Sequence, residues 1–204
     1  MRARWALLLT NTTVICREVN LKDKPNDLLE ISPKGTVPVL ITNDGKVIDE
    51  SISIILWALE QKQLTSRYNS NVKEINKLIL QNDNQFKYHL DRCKYAQRYP
   101  PNNLDYHSNQ AISILKRWND LLSLSSNTTK WLVSGNETLA DWSLWPFVRQ
   151  FRNIDPVTFD NDINLHNLKI WLDFFLNNKF FDQLMAKRKF WTKGDPDEYF
   201  PNNY

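Results

Sequence analysis

The stretch Lys34–Ser51, KGTVPVLITNDGKVIDES, carries the signals that define the first domain of this 204-residue chain. Val37–Ile41 is rich in β-branched residues and predicts a strand, and Lys46–Ile48 predicts a second one. Asn43-Asp44-Gly45 lies between them, and Asp-Gly tolerates the positive φ values that a tight hairpin turn requires. The stretch therefore predicts an antiparallel hairpin that leads directly into a helix capped by Ser51.

Helical and strand patterns precede this hairpin. The chain opens with MRARWALLLT, a helix pattern that begins at the first residue with no Ser, Thr, Asp or Asn ahead of it as a cap. Val14–Leu21 predicts a strand, and Leu28–Ile31 predicts a short helix that stops before Pro33. Because a helix that crosses between parallel strands needs a strand before it, the opening helix predicts a strand upstream of Met1.

The chain changes character after the helix that begins at Ser51. Gln63–Asn71 is polar and predicts a linker, and apolar residues at helical spacing continue from there to the end of the chain. Thr138 and Asp141 predict a capping box at the start of one of the later helices. The predicted organisation is an α/β domain over residues 1–64 followed by an all-α domain over residues 70–204.

Composition excludes several classes of function. The formal net charge is +3 with both signs interleaved, so no basic stripe indicates nucleic acid, and no apolar run is long enough to cross a membrane. Two cysteines, Cys16 and Cys93, are too few for a disulfide framework and favour a reducing, cytoplasmic location. His89 and Cys93 lie one helical turn apart, but two ligands do not make a closed zinc site, so no metal is expected.

Three motifs occur in an order that resembles a known family. Thr36-Val37-Pro38 opens a strand, Glu50-Ser51 follows the hairpin, and TLADWSLWPFVRQF spans Thr138–Phe151. Together they resemble the cytosolic glutathione S-transferase family, most closely its cysteine-type, omega-like branch, over nearly the whole chain. The resemblance implies a thioredoxin-like N-terminal domain, a helical-bundle C-terminal domain, glutathione as co-substrate without a metal, and it admits a homodimer.

The same resemblance implies that an expected segment is missing. Members of this branch begin with a strand and a Cys-Pro turn, followed by an Arg-containing helix like MRARWALLL. Carried over without gaps, the reactive cysteine falls upstream of Met1, and the first domain lacks the strand that would neighbour Val14–Leu21. Cys16 and Cys93 do not replace it, because each is expected to be a buried small hydrophobic residue rather than a nucleophile.

The resemblance assigns five residues to glutathione. Ser51 and its N–H, at a positive helix terminus, face the γ-glutamyl carboxylate, and Glu50 accepts from the γ-glutamyl ammonium. Val37, before a cis Pro38, pairs its N–H and C=O with the extended tripeptide, and Lys24 faces the glycine carboxylate. Without the resemblance, Ser51 would be interpreted as an ordinary helix cap and Glu50 as an acidic residue beside it. Pro38 would be a trans proline on an edge strand, and Lys24 a surface lysine.

Two functions remain open from the sequence. The first is glutathione-dependent transfer or thiol–disulfide reduction on a small-molecule or protein substrate, which the complete set of glutathione residues favours. The second is a non-catalytic binding or regulatory protein, which the missing cysteine favours. Aromatic residues of the second domain are candidates to line a pocket for the second substrate: Phe86, Tyr88, Tyr95 and Trp142.

Overall fold

A computed structural model describes residues 1–68, 71–124 and 131–202, and these residues form two compact units. The first unit contains Met1–Thr65 together with residues 179–202, and the second lies within Ser66–Asn178. Residues 179–202 therefore pack with the first unit, whereas the sequence assigns them to the helical domain. The reason is a strand near the C-terminus that pairs with a strand near the N-terminus.

Short strands and longer helices alternate in the described chain. The helices and strands, in chain order, are α1 (Arg2–Thr10), β1 (Val14–Ile15), α2 (Asn26–Ile31), β2 (Leu40–Ile41), β3 (Val47–Ile48), α3 (Ser51–Gln61), α4 (Thr65–Tyr68), α5 (Val72–Gln81), α6 (Lys87–Lys94), α7 (Leu104–Leu124), α8 (Leu139–Arg152), α9 (Pro156–Asn161), α10 (His166–Leu176), α11 (Phe181–Met185) and β4 (Tyr199–Phe200). A π-helical turn, Asn82–Phe86, joins α5 to α6.

The core of the first unit forms where α1 packs along α3. Trp5 and Ala6 of α1 and Ile55 of α3 are fully buried, which removes a large apolar area from water. As the sequence predicts, α1 begins without a side-chain cap: Met1 is its N-cap residue and makes no side-chain hydrogen bond there. The helix ends at Asn11, whose φ of 47° is the left-handed conformation typical of a helix C-terminus.

Two antiparallel strand pairs complete the first unit. The predicted hairpin is confirmed: β2 pairs with β3, and Gly45 in the turn has a φ of 83°. The predicted strand Val14–Leu21 is shorter, since only β1 is regular, and it is not without a neighbour. β1 pairs with β4, and the Cys16 N–H donates to the Glu198 carbonyl at 2.7 Å.

The second unit is a helical bundle with an aromatic core. Trp118, Trp145 and Phe175 are fully buried, and the rings of Trp145 and Phe175 stack at 5.2 Å. Phe86 and Trp142 are also fully buried, so they are core residues rather than pocket-lining ones. None of the described helices combines the length and the apolar character that crossing a bilayer requires.

Candidate functional site

The β2–β3 hairpin brings together the two segments that carry most of the predicted site. Leu40 lies opposite Ile48, so the residues before β2 and those after β3 lie at the same end of the hairpin. Val37-Pro38 precedes β2, and Glu50-Ser51 follows β3. An ion pair spans the two segments, because the Lys34 ammonium lies 2.9 Å from the Asp49 carboxylate.

Val37 is an exposed residue at this end of the hairpin. The Val37-Pro38 peptide bond is cis, and 46% of Val37 is exposed. Among the residues that the structure describes, neither the N–H nor the C=O of Val37 forms a hydrogen bond. An exposed N–H and C=O on one residue can pair with an extended peptide as an added strand.

The start of α3 supplies groups of opposite polarity. The sequence predicts Ser51 as the N-cap, but Glu50 takes that position with an extended backbone, at φ −115° and ψ 132°, and Ser51 is the first helical residue. The first intrahelical bond runs from the Ile54 N–H to the Glu50 carbonyl, so the N–H groups ahead of it have no acceptor inside the helix. These N–H groups and the helix dipole favour an anion. The Glu50 carboxylate, 71% exposed, is an acceptor for a cation.

Lys24 lies against the turn that precedes Val37. Gly35 in this turn has a φ of 57°, and a Cβ added there would lie 3.1 Å from the Lys24 ammonium and 2.9 Å from a methyl of Leu29. The Lys24 side chain therefore crosses the face of Gly35, two residues before Val37. This contact places the predicted lysine on the same segment of chain as the exposed Val37 backbone.

Lys34 is the charged residue of this region that the sequence reasoning misses. Its ammonium lies 2.9 Å from Asp49 and 3.9 Å from Glu50. The hydrogen bond between Lys34 and Asp49 raises the pKa of the lysine and lowers the pKa of the aspartate. The register of the predicted hairpin could have indicated this pair, because it sets the Pro-Lys-Gly turn beside the Asp-Glu-Ser segment.

The two cysteines lie outside the chain segments of the predicted site, and their surroundings differ. Cys16 follows β1, and the Arg4 guanidinium approaches its sulfur at 3.8 Å while also pairing with Glu18. Burial raises the pKa of the Cys93 thiol in α6, which disfavours the thiolate.

No metal cluster is found near the histidine and cysteine that the sequence places one helical turn apart. The Nδ1 atom of His89 lies 2.9 Å from Nδ1 of His107. In the part of the chain that the structure describes, no group of three or more His, Cys, Asp or Glu side chains is placed to hold a metal ion.

Cavities of the second unit do not coincide with these residues. One cavity of about 310 Å³ lies between α8, α9 and α10 and is lined in part by Arg152, Asp160 and Lys169. Asp160 accepts two hydrogen bonds from Arg152, and its carbonyl accepts one from Lys169, so both cations already have partners. A more open cavity is lined by residues 101–105. Neither cavity is lined by Lys24, Val37, Pro38, Glu50 or Ser51.

Comparison with known protein sequences gives one match, to a family model. The family model of the glutathione S-transferase N-terminal domain matches residues 1–61. No curated protein sequence matches the chain closely enough to count as a relative.

Solved structures resemble the chain over most of its length. A Tau class glutathione S-transferase of mango, Mangifera indica, superposes with a TM-score of 0.75 at 20% identity and covers 91% of this chain and 87% of its own. A glutathione transferase of Phanerochaete chrysosporium, solved with oxidized glutathione, superposes with a TM-score of 0.75 at 16% identity. The match covers 90% of this chain and 88% of that protein's chain. A glutathione S-transferase of Rhodospirillum rubrum superposes with a TM-score of 0.71 at 18% identity. The match covers 92% of this chain and 87% of that protein's chain. The predicted architecture, a thioredoxin-like unit and a helical unit, is thereby confirmed.

Proposed function

Because the chain has the fold of the glutathione S-transferases, we propose that it binds glutathione and acts in glutathione-dependent transfer or thiol–disulfide reduction. The observation that supports this proposal is the end of the β2–β3 hairpin. Val37, the Glu50 carboxylate and the free N–H groups at the start of α3 belong to the two segments that adjoin this end. Lys24 lies against Gly35 in the first segment, and Lys34 of that segment pairs with Asp49 of the second. We propose a cytoplasmic location, and the proposed function is compatible with a homodimer.

Each polar group of glutathione has a proposed partner. The γ-glutamyl ammonium is bound by Glu50, and the γ-glutamyl carboxylate by the N–H and hydroxyl of Ser51 at the positive end of α3. The backbone of the cysteinyl residue pairs with the N–H and C=O of Val37, before Pro38, as an added strand. Lys24 binds the glycine carboxylate. The structure of the Phanerochaete chrysosporium transferase, which holds oxidized glutathione, supports a ligand of this class.

We assign the reaction to the cysteine-type branch of the family. In that chemistry a protein thiolate attacks the glutathionyl sulfur of a mixed disulfide, and the substrate thiol leaves. A second glutathione thiolate then attacks the protein–glutathione disulfide and releases the protein thiolate and oxidized glutathione. No residue of this chain is assigned to the protein thiolate: burial raises the pKa of the Cys93 thiol, and Cys16 lies outside the segments of the proposed glutathione site.

A non-catalytic glutathione-binding or regulatory protein is the second candidate. The observation that favours it is that burial raises the pKa of the Cys93 thiol, which disfavours the thiolate. The first candidate requires the glutathione site, because glutathione is its co-substrate. The second acts through binding of a ligand or a protein, without a reaction.

The first experiment is a calorimetric titration of the protein with glutathione. Replacing Glu50 by Ala removes the acceptor for the ligand's ammonium and is expected to weaken binding by about 1–3 kcal/mol, the usual cost of losing a charge-assisted hydrogen bond. Glu60→Ala is the matched control, because Glu60 is an exposed glutamate near the other end of α3. Equal affinities for the two variants would contradict the proposed site.

The second experiment separates the two candidates by activity. A cysteine-type enzyme is expected to reduce glutathionylated substrates better than it conjugates aryl halides. Glutathione binding without either activity would support the non-catalytic alternative. Strong aryl-halide conjugation without disulfide reduction would contradict the cysteine-type assignment.

A further inference from the structure

The ammonium of Lys34 lies between two carboxylates at the end of the hairpin. It is 2.9 Å from Asp49 and 3.9 Å from Glu50. The Lys34 and Glu50 side chains are 62% and 71% exposed, whereas Asp49 is 34% exposed. Lys34 thus belongs to the segment before Val37, and it touches the segment that begins α3.

We propose that Lys34 and Asp49 form a positioning pair that sets the affinity of Glu50 for the ammonium group of a γ-glutamyl ligand. This inference rests on the proposed function, since it assigns a regulator to the same glutathione site. Neither residue is given a contact with the reacting sulfur, so both are positioning residues.

Competition for the Lys34 charge explains how the pair acts. Coulomb attraction increases as the separation decreases, so the carboxylate at 2.9 Å holds Lys34 more strongly than the one at 3.9 Å. With Asp49 ionised, Glu50 keeps its capacity to accept from an incoming ammonium. Without the Asp49 charge, Glu50 is the nearest anion to Lys34, and the flexible lysine side chain can turn to it.

The arrangement also favours a zwitterionic end group over a simple thiol. A γ-glutamyl group carries an ammonium and a carboxylate on one carbon. Glu50 attracts the ammonium, while the free N–H groups at the start of α3 attract the carboxylate. Neutralising Asp49 weakens the first attraction and leaves the second in place, so the effect is confined to ligands with an amino group.

The size of the effect follows from the exposure of the groups. Exposed ion pairs are weak because water screens them, so the expected change in the dissociation constant is on the order of two- to fivefold. Lys34→Gln alone is expected to leave glutathione affinity unchanged or to raise it, because it removes the competitor for Glu50.

The test is a double-mutant cycle on the full chain, with glutathione affinity measured by calorimetry. Asp49→Asn is expected to weaken binding about two- to fivefold, and Lys34→Gln combined with Asp49→Asn is expected to restore it. A glutathione analogue without the amino group is expected to bind the wild type and Asp49→Asn equally. Lys46→Gln, in the hairpin, controls for loss of a nearby positive charge.

The outcomes separate this inference from the proposed function. The positioning pair is supported if the double variant regains glutathione affinity and if the analogue without the amino group binds the wild type and Asp49→Asn equally. A double variant as weak as Asp49→Asn, or the same loss for the deaminated analogue, overturns it, because a merely structural effect would not depend on the ligand's amino group. Glutathione binding by the wild type in either case leaves the proposed function standing. A wild type that does not bind glutathione overturns both.

Discussion

Among single residues, Asp141 shows how one buried carboxylate can join several segments. Its side chain is completely buried and accepts hydrogen bonds from the N–H and the hydroxyl of Thr138, the N–H of Leu132 and the indole of Trp171, at 2.8–3.0 Å. Burial raises the pKa of Asp141, and these hydrogen bonds act in the opposite direction. The capping box predicted from the sequence is therefore confirmed, and it also ties α8 to α10.

Replacing Asp141 by Ala is expected to lower the free energy of unfolding by about 3 kcal/mol, because several buried donors lose their acceptor at once. The free energy is measured by urea denaturation. Asp155→Ala is the control, since Asp155 also caps a helix, α9, but is exposed. Loss of that exposed cap is expected to cost clearly less. An Asp141→Ala loss no larger than the control's would show that the buried network contributes little.

Between elements, a pair of histidines joins α6 to α7. Nδ1 of His89 and Nδ1 of His107 are 2.9 Å apart, and the rings lie against Tyr88 and Tyr106. Burial lowers the pKa of both histidines, and the charge of Arg92 lowers both further. A second charge on the pair is therefore disfavoured in the folded protein.

Stability is expected to depend on pH through this pair. Histidines in the unfolded chain bind protons near pH 6.5, whereas His89 and His107 in the folded protein bind them at lower pH. The unfolded state thus takes up more protons as the pH falls, so the contribution is complete above about pH 6.5 and declines below it. The free energy of unfolding of the wild type, measured by urea denaturation, is expected to fall between pH 7 and pH 5.

Two variants isolate the histidine pair from the other titrating groups. His89→Asn combined with His107→Asn is expected to reduce the fall in stability between pH 7 and pH 5. His166→Asn changes an exposed imidazole at the start of α10 and is expected to leave that fall as in the wild type. The same pH dependence in both variants would mean that other groups cause it.

At the scale of the whole molecule, the predictable parts of the fold are those with local signals. The hairpin turn, the helix α3 and the start of α8 each follow from residues within a few positions of one another. The two-residue strand β4 and its partner β1 come from opposite ends of the chain, so no periodicity reveals their pairing. Because no local signal marks that pairing, the sequence leaves Val14–Leu21 without a neighbour and assigns residues 179–202 to the helical domain.

The candidate site follows the same pattern. The hairpin places Val37, Pro38, Glu50 and Ser51 as the sequence order suggests, and Lys24 lies against Gly35. Their roles toward glutathione stay predictions. Lys34 has no signal of its own, since an exposed lysine beside a glycine is common on protein surfaces, and only the ion pair with Asp49 sets it apart.

The C-terminal segment, residues 179–202, is expected to stabilise the first unit. Phe200 of β4 is 1% exposed and lies within 5.6 Å of the Arg4 guanidinium and 5.3 Å of that of Arg188, measured to the ring centre. Phe200→Ala leaves a cavity in the place of a buried ring and is expected to cost about 4 kcal/mol in the free energy of unfolding. Its neighbour Tyr199 is 55% exposed, so Tyr199→Ala is expected to cost far less and serves as the control.

Amide hydrogen exchange shows whether that loss comes from detachment of the segment. The Cys16 N–H donates to the Glu198 carbonyl, and the Trp191 N–H donates to the Glu18 carbonyl, each at 2.7 Å, so both amides report on the pairing. Faster exchange of both in Phe200→Ala, with the amides of α8 unchanged, is expected, because local opening exposes only the hydrogen bonds that the segment makes. Unchanged exchange at Cys16 and Trp191 would show that Phe200 does not hold the segment in place.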